Sequence, residues 1–67
     1  MKYSVEISAV KDGVYIPNSD IQLGLCLTKE EAREMASKVC FQDDSKYELY
    51  IYTLDDGFNI IETERIV

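Results

Sequence analysis

Residues Lys2 to Val10 alternate between apolar and polar with a period of two. Tyr3, Val5, Ile7 and Ala9 fall on one face, and Lys2, Ser4, Glu6 and Ser8 on the other. That is the period of a half-buried strand. Asp12-Gly13 follows, a dipeptide favoured in two-residue hairpin turns because both positions take a positive φ. Val14-Tyr15-Ile16 then reads as a returning strand, ended by the turn formers Pro17-Asn18-Ser19-Asp20. Ile21, Leu23, Leu25 and Leu27 alternate with Gln22, Gly24 and Cys26, as a short strand or an extended connection that plugs the core would.

The period changes at Thr28. Ala32, Met35, Ala36, Val39 and Cys40 recur at helical spacing, which predicts a helix over Thr28 to Phe41 with one narrow apolar stripe. Thr28 and Glu31 have the spacing of a capping box, in which hydroxyl and carboxylate each satisfy a free backbone N–H of the first turn. Glu30, Glu31 and Glu34 near the start and Lys38 near the end suit the helix dipole. The small residues of the stripe predict a helix lying close against a sheet.

Tyr47 to Leu54 is a β-rich run with Tyr47, Leu49 and Ile51 on one side and Tyr50, Tyr52 and Leu54 on the other. Asp55-Asp56-Gly57 signals a turn, and Phe58 to Val67 reads as the partner strand. With Gly57 in a left-handed position of a three-residue loop, Leu54 faces Phe58 and Glu48 faces Glu64, a like-charge pair that costs stability. A two-residue turn on Asp56-Gly57 avoids that pair. The predicted fold class is α+β: hairpin, helix, hairpin, with an antiparallel sheet of four to five strands and one helix on one face. A helix of about 13 residues spans roughly 20 Å and covers only one side of such a sheet. Since Tyr47 to Leu54 is apolar on both sides, the second face is expected to be an interaction surface.

With 67 residues the chain forms a single domain. A domain this short buries only about 60% of its unfolded surface, so a partner subunit or a staple often supplements its core. Cys26 and Cys40 are the only cysteines, and no secretory signal precedes them. A cytoplasmic location and two free, buried thiols are therefore expected.

Charge changes the picture further. The net charge is −6, and the excess lies after Cys40, where Asp43, Asp44, Glu48, Asp55, Asp56, Glu62 and Glu64 face only Lys46 and Arg65. Direct contact with nucleic acid or an anionic membrane would be repulsive there, because phosphate binding needs Lys and Arg. No apolar run approaches the roughly 20 residues of a membrane span.

Catalytic constellations are not legible. The chain has no histidine, its serines lack a base, and Gly13, Gly24 and Gly57 are isolated, so no enzyme activity, cofactor or metal is expected. Two binding features remain. Glu62 and Glu64, two apart on a strand and hence roughly 6.8 Å apart, match the spacing of successive phosphates. Tyr15, Tyr47, Tyr50 and Tyr52 are of the residue type that anchors interfaces. The expected partner-binding residues are Asp43, Asp44, Glu48, Tyr50, Tyr52, Asp55, Asp56, Glu62 and Glu64.

The segment Leu27-Thr28-Lys29-Glu30-Glu31-Ala32-Arg33-Glu34-Met35-Ala36-Ser37-Lys38, then Cys40-Phe41, then a hairpin turning at Gly57, resembles several very small phage-encoded anti-CRISPR proteins. The resemblance lies in the layout and in an E-E-A-x-x-x-A helix pattern. It implies a non-catalytic inhibitor that blocks a basic, nucleic-acid-handling protein or nuclease complex, here through acidic mimicry of nucleic acid. The alternative is a homodimeric adaptor whose open sheet face is its own interface. An apolar centre free of carboxylates on that face would mark the adaptor, and carboxylates there or at its rim would mark the mimic.

Overall fold

The computed structural model describes residues 1–66 without the Asp44 side chain, so the expectations placed on Val67 and on the Asp44 carboxylate lie outside the described residues. The elements are β1 (Lys2–Lys11), β2 (Val14–Tyr15), β3 (Ile21–Cys26), α1 (Lys29–Ser37), a 3-10 turn (Asp44–Lys46), β4 (Tyr47–Leu54) and β5 (Ile60–Arg65). One helix on an antiparallel sheet makes the fold α+β, as the hydrophobic pattern predicts.

β1 is the spine of the sheet. One edge pairs with β4 from Lys2↔Leu54 to Ala9↔Tyr47. Its other edge pairs first with β3, from Tyr3↔Cys26 to Ile7↔Ile21, and then with β2. β5 flanks β4, which leaves β5 at one edge and β3 and the two-residue β2 in succession along the other. The β1–β2 turn has Asp12 and Gly13 at φ 55° and 79°, the two positive values that this dipeptide was expected to supply.

Alternation along β1 and β4 sends Val5, Leu49 and Ile51 to the helix side. There they form the core with Cys26, Ala32 and Ala36, and Tyr3, Ile7, Met35, Val39 and Phe41 pack around it. Ala32 and Ala36 are short enough to bring the helix backbone down onto the sheet. Gly24 of β3 meets the same requirement, since a methyl group there would stand 2.5 Å from the Met35 Sδ and Cε atoms.

Four expectations are corrected. The helix ends at Ser37, with Lys38 as its C-cap, and not at Phe41; Phe41 instead stacks on Tyr47 with ring centroids 5.1 Å apart. Leaving the helix early takes Cys40 off the apolar stripe, so Cys26 is a buried free thiol and Cys40 an exposed one. Thr28 caps the helix by accepting the Glu31 N–H, but its hydroxyl donates to the Glu31 carboxylate, which replaces the second half of the capping box. The fourth correction is the second hairpin. Its loop spans five residues, Phe58 and not Gly57 has the positive φ, and a bulge puts Leu54 opposite Ile60 and Ile51 opposite Glu64. Asp55 organises this loop by accepting the backbone N–H groups of Gly57 and Asn59.

Residues 21–26 form a strand, and a bulge at Leu23 splits its large residues between the two faces, with Leu25 beside Ser4 on the open face and Ile21 beside Ile7 on the helix side. Cys26 is buried and Gly24 half-buried, while Ile21, Leu23, Leu25 and Leu27 are all exposed. Of the two readings that the alternation left open, the strand is the one that forms, and its large residues do not plug the core.

Two expectations test this packing. Thr28→Ala should lower stability by about 1 kcal/mol through loss of the cap; an unchanged denaturation midpoint would place the helix start elsewhere. In the folded protein Cys40 should react with a thiol reagent at once and Cys26 only on unfolding, without prior reduction. Equal native rates would contradict the burial of Cys26.

Candidate functional site on the open sheet face

The face of the sheet opposite the helix bears Ser4, Glu6 and Ser8 from β1 and Glu48, Tyr50 and Tyr52 from β4. The register sets Ser4 beside Tyr52, Glu6 beside Tyr50 and Ser8 beside Glu48. No helix covers this face, yet Ser4 and Ser8 are fully buried and the two tyrosines half-buried. The physical reason is size. A serine leaves room for its long neighbours to lean over it, and Ser4 lies between Tyr52 on β4 and Leu25 on β3. Tyr50 and Tyr52 stack along β4 with centroids 5.7 Å apart.

Hydrogen bonds fix this layer. Gln22 Nε2 donates to Ser4 Oγ at 2.7 Å, and that hydroxyl donates to Glu6 at 2.7 Å. Ser8 donates to Asp20 at 2.6 Å, and Tyr15 donates to the same Asp20 oxygen at 3.0 Å. Tyr50 donates to Glu48 at 2.6 Å, while Arg65 of β5 stands 3.2 Å from the same carboxylate. Among the described residues no buried side-chain polar atom lacks a hydrogen-bond partner, so the layer is satisfied internally. Three carboxylates and three phenols thus share one rigid surface, with Lys2 over the Phe58 ring at one corner.

The electrostatics follow. Burial pushes the Tyr52 phenol up to about 12, and the negative fields of Asp20 and Glu6 add to the effect. Its hydrogen bond to Glu48 raises Tyr50, and the bond to Asp20 raises Tyr15. These phenols remain neutral donors throughout the physiological range.

The carboxylates expected to form an outward array are engaged elsewhere. Glu62 and Glu64 lie on the helix side of β5, because Thr53↔Glu62 and Ile51↔Glu64 are cross-strand pairs. Glu62 meets Lys29 Nζ at 3.2 Å, and Glu64 meets Arg33 through two contacts of 2.9 and 3.3 Å. The Arg33 hydrogen bond holds Glu64 below the usual carboxylate range, and the same pairing raises the Arg33 guanidinium. Glu48 stands against Arg65 and not against Glu64, so the like-charge pair does not form. Asp43 caps the 3-10 turn by accepting from Ser45, which lowers it, and the loop N–H groups lower Asp55 in the same way. Asp56 is exposed on the loop.

Of the expected partner-binding residues, the structure brings together Glu48, Tyr50 and Tyr52. Asp43, Asp55 and Asp56 lie in loops, and Glu62 and Glu64 on the helix side. Sequence reading missed Glu6 and Asp20. Glu6 was visible on the polar face of β1, which pairs with the tyrosine row, whereas Asp20 sits in a turn cluster with no periodic signal. No group of metal-ligating residues occurs among the described residues, and no helix there is long and apolar enough to cross a membrane. Comparison with known protein families, curated proteins and solved structures returned no match.

Tyr52 offers a direct check. The unfolded chain ionises this phenol near 10.0, the folded chain near 12. Its contribution to stability is therefore complete below the unfolded value and is lost as pH rises through the folded one. An alkaline absorbance titration should show Tyr52 as the last tyrosine to ionise, behind the raised Tyr15 and Tyr50, and Tyr52→Phe should remove that last phase. Simultaneous ionisation of all tyrosines would contradict the buried position.

Proposed function

We propose that this chain is a cytosolic, non-catalytic binding protein that presents its open sheet face to a basic surface of a protein partner. The observation that carries this reading is the convergence of Glu6, Asp20 and Glu48 with Tyr15, Tyr50 and Tyr52 on one hydrogen-bonded surface. Carboxylates held in place by their neighbours lose little freedom on meeting lysine or arginine, so the recognition is preorganised. Tyrosine faces attract the same cations through their ring quadrupoles and add apolar contact area. The net charge of −6 steers a basic partner in and a nucleic acid away.

Carboxylates at the centre of this face favour the acidic reading over an apolar dimer face. An inhibitor that occupies the nucleic-acid groove of a larger protein, in the manner of small phage-encoded anti-CRISPR proteins, would use such a surface. Glu62 and Glu64 play a smaller part in it, because Lys29 and Arg33 offset them, and Arg65 offsets Glu48 in the same way, which leaves Glu6 and Asp20 as its main carboxylates.

Affinity capture from the native cell at low and high salt tests the reading. The expected result is a basic protein retained at low salt and released at high salt. The double change Glu6→Gln/Asp20→Asn should reduce capture and flatten its salt dependence, since complementary fields mainly set the association rate. Glu62→Gln/Glu64→Gln should have the smaller effect. Capture that is indifferent to the first pair and lost with the second would move the interface to the helix side of β5.

A further inference from the structure

The apolar surface of this molecule lies at its edges. Ile21, Leu23 and Leu25 are exposed along β3 and Leu27 just beyond it, with Ile21 at 58% and Leu27 at 71%. β3 pairs only with β1 among the described residues, so its outer edge meets no strand there. Natural edge strands are guarded by charge, proline, bulges or a covering element. Between Ile21 and Leu27 stand no charge and no proline. The bulge that leaves Leu23 unpaired, between the pairs Val5↔Gly24 and Glu6↔Gln22, is the one such device within the strand.

We infer that β3 is the interface through which two copies of this chain associate, edge to edge and antiparallel about a two-fold axis. Three observations select a second copy as the occupant. The first is charge. Two chains of net charge −6 repel, and β3 is the longer of the two outer strands without carboxylates, the other being the two-residue β2. The outer strand β5 also exposes Ile60 and Ile61, but it carries Glu62, Glu64 and Arg65, so self-pairing there would bring like charges together. The second is the smallness of the core. Its buried hydrophobic residues are Val5, Cys26, Ala32, Ala36, Leu49, Ile51 and Leu54, with two alanines and a cysteine among them. A core of this size calls for a supplement present whenever the chain is folded, and an identical chain is always present. The third is symmetry. An antiparallel β3–β3 pair sets this uncharged segment against itself, which makes the edge self-complementary, as a closed two-fold contact requires.

A groove of about 440 Å³ lined by Cys26, Glu31, Glu34, Met35 and Lys38 opens between the helix and β3. Cys26 and Met35 give it an apolar part, and Glu31, Glu34 and Lys38 a charged one. The open face with Glu6, Asp20 and Glu48 stays free in this dimer, so the interface is independent of the proposed partner surface.

Light scattering and sedimentation across the micromolar range should give twice the chain mass, with dissociation on dilution. A monomer at every concentration would overturn the inference. Location is read by cross-linking in a Cys40→Ser background. Leu23→Cys should give a covalent dimer on mild oxidation, and Ile61→Cys should not. The reverse pattern would place the contact at β5 and contradict the proposal. Glu6→Gln/Asp20→Asn should leave the mass unchanged, which separates this interface from the partner face.

Discussion

The whole structure depends on the close approach of one short helix to the centre of the sheet. Nine residues of helix reach only about 13 Å, and they make contact through Ala32 and Ala36 against Val5, Leu49 and Ile51. Small residues on the helix make that approach possible but contribute little buried area themselves. Two consequences follow. The second face of the sheet needs cover from its own side chains, and the outer strands lie beyond the helix's reach. The salt links Lys29–Glu62 and Arg33–Glu64 join the helix to β5 at its rim, where solvent screening leaves an exposed pair little to add to stability.

Cover for the second face comes from an unequal pairing of residue sizes. β1 places Ser4 and Ser8 where β4 supplies Tyr52 and Glu48, and the long side chains lean over the short ones. Polar groups buried by that arrangement find partners among Gln22, Asp20 and Glu6, so the layer carries no unsatisfied donor or acceptor in the described residues. The result is a face that is closed to water in its middle and acidic at its surface. The same arrangement that substitutes for a second layer also fixes the carboxylates and phenols in recognition geometry.

Much of this was legible in the sequence, and the failures have physical causes. Period-two alternation identified both long strands and assigned Val5, Leu49 and Ile51 to one side, because their burial is decided locally by the pleat. Asp12-Gly13 specified its own turn. The alternation at residues 21–27 left strand and extended connection both open, since an apolar period shows neither the bulge at Leu23 nor which side the helix occupies. The helix end was read too late, because Val39 and Phe41 pack on the core after the helix has stopped. Charges were counted along the chain, whereas their partners are set by register. One bulge opposite Leu54 sends Glu64 to Arg33 and brings Arg65 to Glu48, so three of the carboxylates after Cys40, Glu62 among them, meet basic partners across the fold.

The central claim is that Tyr50 and Tyr52 close the sheet face that the helix cannot reach. The most direct test is the denaturation midpoint of the double variant Tyr50→Ser/Tyr52→Ser, followed by far-ultraviolet circular dichroism. Removing two half-buried stacked rings should expose Ser4, strand its hydrogen bonds in water and lower stability by about 2–4 kcal/mol. A domain of this size would then be largely or wholly unfolded. An unchanged midpoint would show that the rings merely decorate the surface and that something other than the tyrosine layer holds the second face.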